Sequence, residues 1–408
     1  MDRKNIDRKE VYLDYNATTP LHPTVKRTLM DQLDAYGNGS SMHTFGRKAG
    51  QLIEEAREQV AQLINAEKAE IVFTGGGSES NNTVLKLLLD DSFCERMFSG
   101  RKRKLITTVI EHPSVLETAR YLEKRRVQVD YLHVDRFGFV DMDQLRSRLT
   151  DDTALVSVMM ANNEIGTIQD IKTAAELAHQ KGALFHTDAV QTAGKVPIDV
   201  RSLGVDFLSL SGHKFYGPKG IGALYVKNNL DIVPLVHGGH QEEGRRAGTL
   251  NTLGIVGLGK AAQLAREEME EERKRVHGLR ERLRAGIEEK IPDVRFNGHR
   301  EHSLPGTLNV SFLGAEGESI LLYLDFEGIA VSTGSACATG SLEPSYVILE
   351  TTTDPEYAHG SIRFSLGRET TEEDIDYVLD KLPPIIEKLR RMSTLYSSGA
   401  GYTETPAV

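Results

Sequence analysis

Between residues 70 and 226 short apolar runs alternate with longer stretches in which apolar positions recur every three or four residues. The runs at 70–74, 105–109, 127–132, 154–160, 183–187, 207–211 and 222–226 predict strands. The spaced stretches at 50–64, 80–89, 114–125, 141–149 and 171–180 predict helices. Strands and helices in that alternation imply βαβ units and a largely parallel sheet. Such strands are buried on both faces, and the unbroken apolar run Leu155-Val156-Ser157-Val158-Met159-Met160-Ala161 suits that position. A sheet of this kind carries its ligand site in the loops beyond the carboxyl ends of its strands.

From residue 254 to 291 the pattern predicts one long helix, small and apolar in its first half and heavily charged in its second. Sustained heptads are missing, so the spacing favours a helix that leaves one domain and crosses to a second over a coiled-coil arm. Beyond Pro292, short strands at 307–312, 329–332 and 361–365 and helices at 318–325 and 371–391 predict an α+β segment.

Composition narrows the class. The 408 residues carry 49 basic and 59 acidic side chains, a formal charge of −10, which argues against direct binding of nucleic acid. The two cysteines, Cys94 and Cys337, cannot build a disulfide framework or a four-cysteine zinc site, and such sparing use of thiols fits a reducing compartment. The opening MDRKNIDRKE has no apolar core for a signal peptide, and no run approaches the roughly 20 apolar residues of a membrane span. The expectation is a cytoplasmic, multi-domain protein.

Candidate chemistry sits at strand ends. Lys214, in Ser211-Gly212-His213-Lys214, follows a buried strand at the mouth of the sheet. There it is either a Schiff-base nucleophile or an ordinary solvated turn lysine. Asp188 ends another strand, so it is either a helix cap or the carboxylate that keeps a pyridine nitrogen protonated. The turn Gly75-Gly76-Gly77-Ser78 between strand and helix is a generic anion cradle. It lacks the P-loop Lys-Ser/Thr and the dinucleotide G-x-G-x-x-G spacing, and Ser211 and His213 are further donors, so a phosphate monoester suits it best. His112, before Pro113, is either a ring or acid–base partner of a cofactor or a structural turn histidine. His237 and His240 have no clustered carboxylate or thiol beside them, which disfavours a metal. Cys337 lies among small polar residues, a setting for a reactive loop thiol; Cys94, with acidic neighbours, reads as incidental. Arg363 is placed either to fork onto a substrate carboxylate or to make a structural salt bridge.

Together these segments, with Tyr12-Leu13-Asp14-Tyr15-Asn16-Ala17-Thr18-Thr19-Pro20, Ala161-Asn162-Asn163-Glu164-Ile165-Gly166 and Gly334-Ser335-Ala336-Cys337, resemble the cysteine desulfurases of the NifS/IscS type. Those are pyridoxal 5'-phosphate enzymes of fold type I, grouped with class V aminotransferases. The resemblance implies a large, mainly parallel α/β domain over 20–260. It also implies a smaller α+β domain from 1–19 and 261–408 that carries the cysteine loop. It makes Lys214 the cofactor's lysine, Asp188 the partner of its ring nitrogen, Gln191 that of its phenolic oxygen, and His112 the stacking proton carrier. Gly77, Ser78, Ser211 and His213 would hold the phosphate, with Thr249 reaching across a homodimer. Asn163 is expected beside cofactor and substrate, gripping the substrate carboxylate with Arg363. Cys337 would take sulfur from L-cysteine as a persulfide, leaving L-alanine, and pass it to an iron–sulfur scaffold or another acceptor. The form Ser-Ala-Cys followed by small residues resembles the branch with a flexible cysteine loop. Ser78 stands where threonine is more usual, and the stretch 348–354 departs from the family pattern. The competing readings are another pyridoxal enzyme, such as an aminotransferase or selenocysteine lyase, and a non-catalytic binding module.

Overall fold

The computed structural model describes residues 9–98, 102–228, 230–333, 344–352, 354–393 and 396. In chain order its strands are β1 (Val11–Tyr12), β2 (Ile71–Thr74), β3 (Lys104–Thr108), β4 (Gln128–Leu132), β5 (Thr153–Ser157) and β6 (Leu184–Asp188). They continue as β7 (Phe207–Ser211), β8 (Gly222–Val226), β9 (Val294–Asn297), β10 (Thr307–Phe312), β11 (Ile329–Ala330) and β12 (Ser361–Ser365). Seven of them form one sheet in the order β2-β8-β7-β6-β5-β3-β4. The pairs from β7 through β6, β5 and β3 to β4 are parallel. β8 runs antiparallel to both neighbours, because the short link at 212–221 leaves no room for a crossover helix.

Alternation along the strands divides the sheet's apolar residues between two cores. Phe73, Ile106, Val156, Phe185 and Leu208 face one way, toward the helices Thr44–Leu63 and Ile171–Gln180. Val72, Leu105, Leu155, Phe207 and Leu224 face the other, with the helices Gly77–Lys86, Asp91–Phe98 and Pro113–Glu123. The strand expected at 154–160 loses regular pairing with β3 after Ser157. Its apolar tail nevertheless stays on β6, where the Val158 and Met160 amides donate to the His186 and Asp188 carbonyls.

The long helix runs Thr252–Lys290. Ile255, Leu258 and Ala262 lie in the first core, while Val276, Leu279, Leu283 and Ile287 enter a separate one around β10 and β12. That second core also takes Val11 and Leu13 from the N-terminal segment and is closed by the helix Glu372–Met392. The three-stranded sheet β12-β10-β9 is antiparallel. The stretch at 348–354 enters the helix Tyr346–Thr351, whose Val347 and Ile348 are fully buried against Ile110, Met159 and Ile165.

Candidate active site

The carboxyl ends of β2, β3, β5, β6 and β7 surround a cavity of about 260 Å³ lined by Gly77, Ser78, His112, Asn163, Asp188, Gln191, Ser211, His213 and Lys214. Nine positions read from widely separated segments of the sequence thus share one concave surface. A larger cleft of about 790 Å³, lined among others by Phe139, Arg273 and His302, holds none of them.

Asp188 closes β6 and is only 5% exposed. Asn81 Nδ2 donates to its Oδ2 at 2.6 Å and the Val190 amide to its Oδ1 at 2.9 Å. The Val190 contact is the turn-capping role open to an aspartate here, but the side chain also lines the cavity. Asn81 Nδ2 donates to Ser114 Oγ at 2.9 Å as well, while its own Oδ1 is buried without a partner.

Lys214 follows β7 in the single 3-10 turn Gly212–Lys214, which Phe215, 1% exposed, anchors in the core. Lys214 Nζ donates to the carbonyls of Asn16 and Ala17 at 2.6 and 2.9 Å. His213 Nδ1 lies 3.1 Å from Thr18 Oγ1. Burial and the charges of Lys214, Lys219 and Lys195 push its imidazole down to about 4, so it is neutral.

The helix Gly77–Lys86 begins against the same cavity. A Cβ at Gly77 would come within 2.5 Å of Val190 Cγ2, so only glycine lets the helix start close on the β6 loop. The helix thus starts beside Ser211, and a helix N-terminus supplies the free amide donors an anion needs.

His112 caps the helix Pro113–Glu123 by accepting from the Ser114 amide at Nδ1, 3.1 Å away. A backbone N–H can only donate, so the neutral ring carries its proton on Nε2. Burial lowers the imidazole's pKa, opposed by Asp188 and reinforced by Lys214, which leaves a neutral base at physiological pH.

The adjoining Glu111 is fully buried. Its Oε1 accepts from the Met159 amide at 2.8 Å and Thr108 Oγ1 at 3.0 Å, and its Oε2 has no partner. Burial, reinforced by Asp188 and opposed by the two donors, pushes the carboxyl up to about 8. The unfolded chain releases that proton near pH ~4.3. Glu111's stabilising contribution is therefore intact below that value and lost as pH rises towards 8. We expect Glu111→Gln, which keeps the acceptor and stays neutral, to flatten the decline of the urea unfolding midpoint between about pH 5 and 9. An unaltered decline would contradict this protonation state.

Gln191 and Asn163 are drawn in by the N-terminal segment. Gln191 Nε2 donates to the Asn16 carbonyl at 2.9 Å, and Asn16 Nδ2 donates to the Asn163 carbonyl at 3.1 Å. Arg363 on β12 donates to that Asn163 carbonyl at 3.0 Å and to Asp14 Oδ1 at 2.7 Å, so the salt bridge left open by the sequence is present. Its Nε is buried and unpartnered.

Thr249 is exposed and outside the cavity lining. Cys337 lies outside the described residues. Cys94 is fully buried, and burial followed by Asp90 raises its thiol pKa, a setting without thiolate character. Among the described residues no group of histidines, cysteines and carboxylates could hold a metal, and no helix is long and apolar enough to cross a membrane.

The sequence reading gave no role to Asn81, Ser114, Asp14, Asn16 or Lys195. Asn81 had a usable signal, being a polar side chain one helical turn beyond the glycine cradle. Asp14 and Asn16 meet their partners across up to 349 residues of chain, which no local pattern reveals.

Residues 11–378 match the family model described as aminotransferase class-V. The chain belongs to the class-V aminotransferase family. It is 51% identical over 393 residues to the cysteine desulfurase IscS of Clostridium botulinum, covering 95% of this chain and 97% of that one. It is also 51% identical over 387 residues to the cysteine desulfurase IscS of Dictyoglomus turgidum, with 95% and 97% covered. Among solved structures, a NifS-like protein superposes with a TM-score of 0.86 at 39% identity, covering 93% of this chain and all of that one. The fold is accordingly that of the pyridoxal-phosphate enzymes of fold type I, and the protein is a pyridoxal-phosphate-dependent enzyme.

The donor set suits that cofactor. A buried carboxylate, a lysine, a glycine-kept helix start with a serine beside it, and a neutral histidine border one cavity. They match a ring nitrogen, an aldehyde, a phosphate and a ring face respectively.

Proposed function

We propose that this class-V family member is a cysteine desulfurase in which Lys214, Asp188, His112 and Cys337 divide the work. The enzyme converts L-cysteine to L-alanine and donates the sulfur for iron–sulfur cluster or thiolated cofactor and RNA synthesis. The observation that carries the reading is the convergence of Lys214, Asp188 and His112 on one cavity in a chain half identical to named cysteine desulfurases.

Bound pyridoxal phosphate supplies a carbonyl that links covalently to amines and a ring that withdraws electrons from the substrate's carbons. Lys214 would hold it covalently and would move the proton at the substrate's Cα. Asp188, shielded from water, keeps the ring nitrogen protonated. His112, neutral with its proton on Nε2, would stack on the ring and carry protons. The Gly77 and Ser78 amides with Ser211 and His213 bind the phosphate.

Arg363 and Asn163 receive the substrate carboxylate. The unpartnered Arg363 Nε supports this assignment, and the carboxylate competes with Asp14 for the guanidinium. The thiolate of Cys337 attacks the substrate sulfur. An S–S bond forms, the C–S bond breaks with its electrons retained on carbon, and a proton completes alanine.

The exposed Thr249, absent from its own chain's cavity, supports a homodimer in which it reaches the neighbouring phosphate. The acceptor is an iron–sulfur scaffold or another sulfur-accepting protein. The cytoplasm, where thiols stay reduced, is the expected compartment.

Incubating the reconstituted protein with L-cysteine and excess dithiol is expected to yield alanine and sulfide in equal amounts. Alanine and selenide from selenocysteine, with no sulfide from cysteine, would move the protein to the selenocysteine lyase reading. Amino-group transfer to a keto acid without alanine would make it an aminotransferase.

A further inference from the structure

Lys195, itself outside the cavity lining, stands behind Gln191, and no role in the reaction has yet fallen to it. Gly194, at φ +74°, turns the chain there, and a Cβ on it would meet Phe215 Cβ at 2.6 Å. The turn sends Lys195 inward, where its Nζ donates to Gln191 Oε1 at 3.0 Å and to Asn16 Oδ1 at 3.1 Å.

An ammonium offers donors only, so Lys195 dictates which end of the Gln191 amide faces it. The oxygen must point to Lys195 and Nε2 must point forward. One Nε2 proton goes to the Asn16 carbonyl at 2.9 Å, and the second remains for the cavity that Gln191 lines. The same Asn16 carbonyl accepts from Lys214 Nζ at 2.6 Å, so Lys195 and Lys214 grip one asparagine from two sides.

We propose that Lys195 is a positioning residue. Acting through Gln191 and Asn16, it presents an N–H donor to the phenolic oxygen of bound pyridoxal phosphate and thereby helps set the pH at which the bound chromophore loses its proton. This rests on the pyridoxal-phosphate reading of the cavity.

The surroundings support a charge that matters near neutrality. Burial, with repulsion from Lys214 and Arg363, pushes Lys195 down to about 7 against the pull of Glu272. Tyr15, Tyr216, Glu272 and Arg273 line the small void on its other side. Removing Lys195 therefore has two consequences of the same sign. The repulsion on the protonated chromophore falls, and the phenolate loses a donor. Both favour keeping the proton, so the midpoint rises.

The test is a spectrophotometric pH titration of the visible band in the holoenzyme, for wild type, Lys195→Met and Lys195→Arg. The methionine variant is expected to titrate about one pH unit or more above wild type. The arginine variant, which keeps a cationic donor, is expected to return most of the way. If the methionine variant does not fold, Lys195→Gln, neutral and polar, takes its place in the same comparison. Titration of the neutral variant at the wild-type midpoint, with the band intact, would overturn the proposal and leave Lys195 a structural residue. A wild-type protein that shows no visible band after reconstitution with pyridoxal phosphate would overturn the cofactor reading and this proposal with it. The two failures are thus told apart.

Discussion

Lys214→Ala is expected to lose the cofactor's visible band and to lower turnover by about 10³-fold or more. In the proposed mechanism the side chain serves twice, as the covalent attachment and as the group that moves the substrate's Cα proton, and alanine does neither. The structural cost is small. Lys214 is part-buried, and of the carbonyls it leaves, Ala17 lines the cavity and Asn16 keeps Gln191 as a donor. Borohydride reduction of the wild type followed by peptide mapping checks the assignment independently. The neighbouring Lys195 makes this check demanding, because burial pushes its amine down to about 7 close by. A label on the Lys195 peptide would transfer the attachment role to it.

Cys337→Ser should do the opposite. The visible band stays, cysteine still perturbs it, and sulfide release falls by about three orders of magnitude or more. In the proposed mechanism binding and the early proton transfers use Lys214, Asp188, His112 and Arg363, none of which the substitution alters. The later step needs a soft, readily ionised nucleophile to take a sulfur atom, and a serine hydroxyl is neither. Cys94 offers no substitute, since it is fully buried behind β3 with a thiol pKa raised by its surroundings. Sulfide and alanine assays on the purified variant, beside its absorbance spectrum, separate loss of sulfur transfer from loss of cofactor.

Much of the sheet and the strand-end residues of the cavity could be read from the sequence because both obey local rules, while Asn163 and Gln191 came only through the family resemblance and Asn81 and Ser114 were missed. Strands buried on two faces announce themselves as continuous apolar runs, and loops at their carboxyl ends must carry the polar residues. Lys214, Asp188 and His112 were found that way, each just after such a run. The short strands β1 and β9 escaped because neither Val11-Tyr12 nor Val294-Arg295-Phe296-Asn297 sits in a long continuous apolar run. The helix Tyr346–Thr351 escaped because it is too short to show a helical period, although its Val347 and Ile348 seal the Ile110 and Met159 side of the site.

Contacts made across the whole chain were the larger blind spot. Asn16 joins Lys195, Lys214, Gln191, Asn163 and Thr307 because tertiary packing folds the N-terminal segment over the sheet. Nothing in Asp14-Tyr15-Asn16 itself foretells that. Arg363 shows the remaining ambiguity. Its alternation on β12 fitted a salt bridge and a carboxylate clamp equally; the structure shows the pairing with Asp14, and the clamp stays a proposal that the unpartnered Nε supports.

Mass spectrometry of the wild-type holoenzyme after brief exposure to L-cysteine, without reductant, tests the central claim most directly. One added sulfur on the peptide that contains Cys337, with alanine formed in step and no such addition in the Lys214→Ala protein, is the result the mechanism requires. An unmodified Cys337 in a protein that still forms alanine and sulfide, or the added sulfur on Cys94, would contradict it.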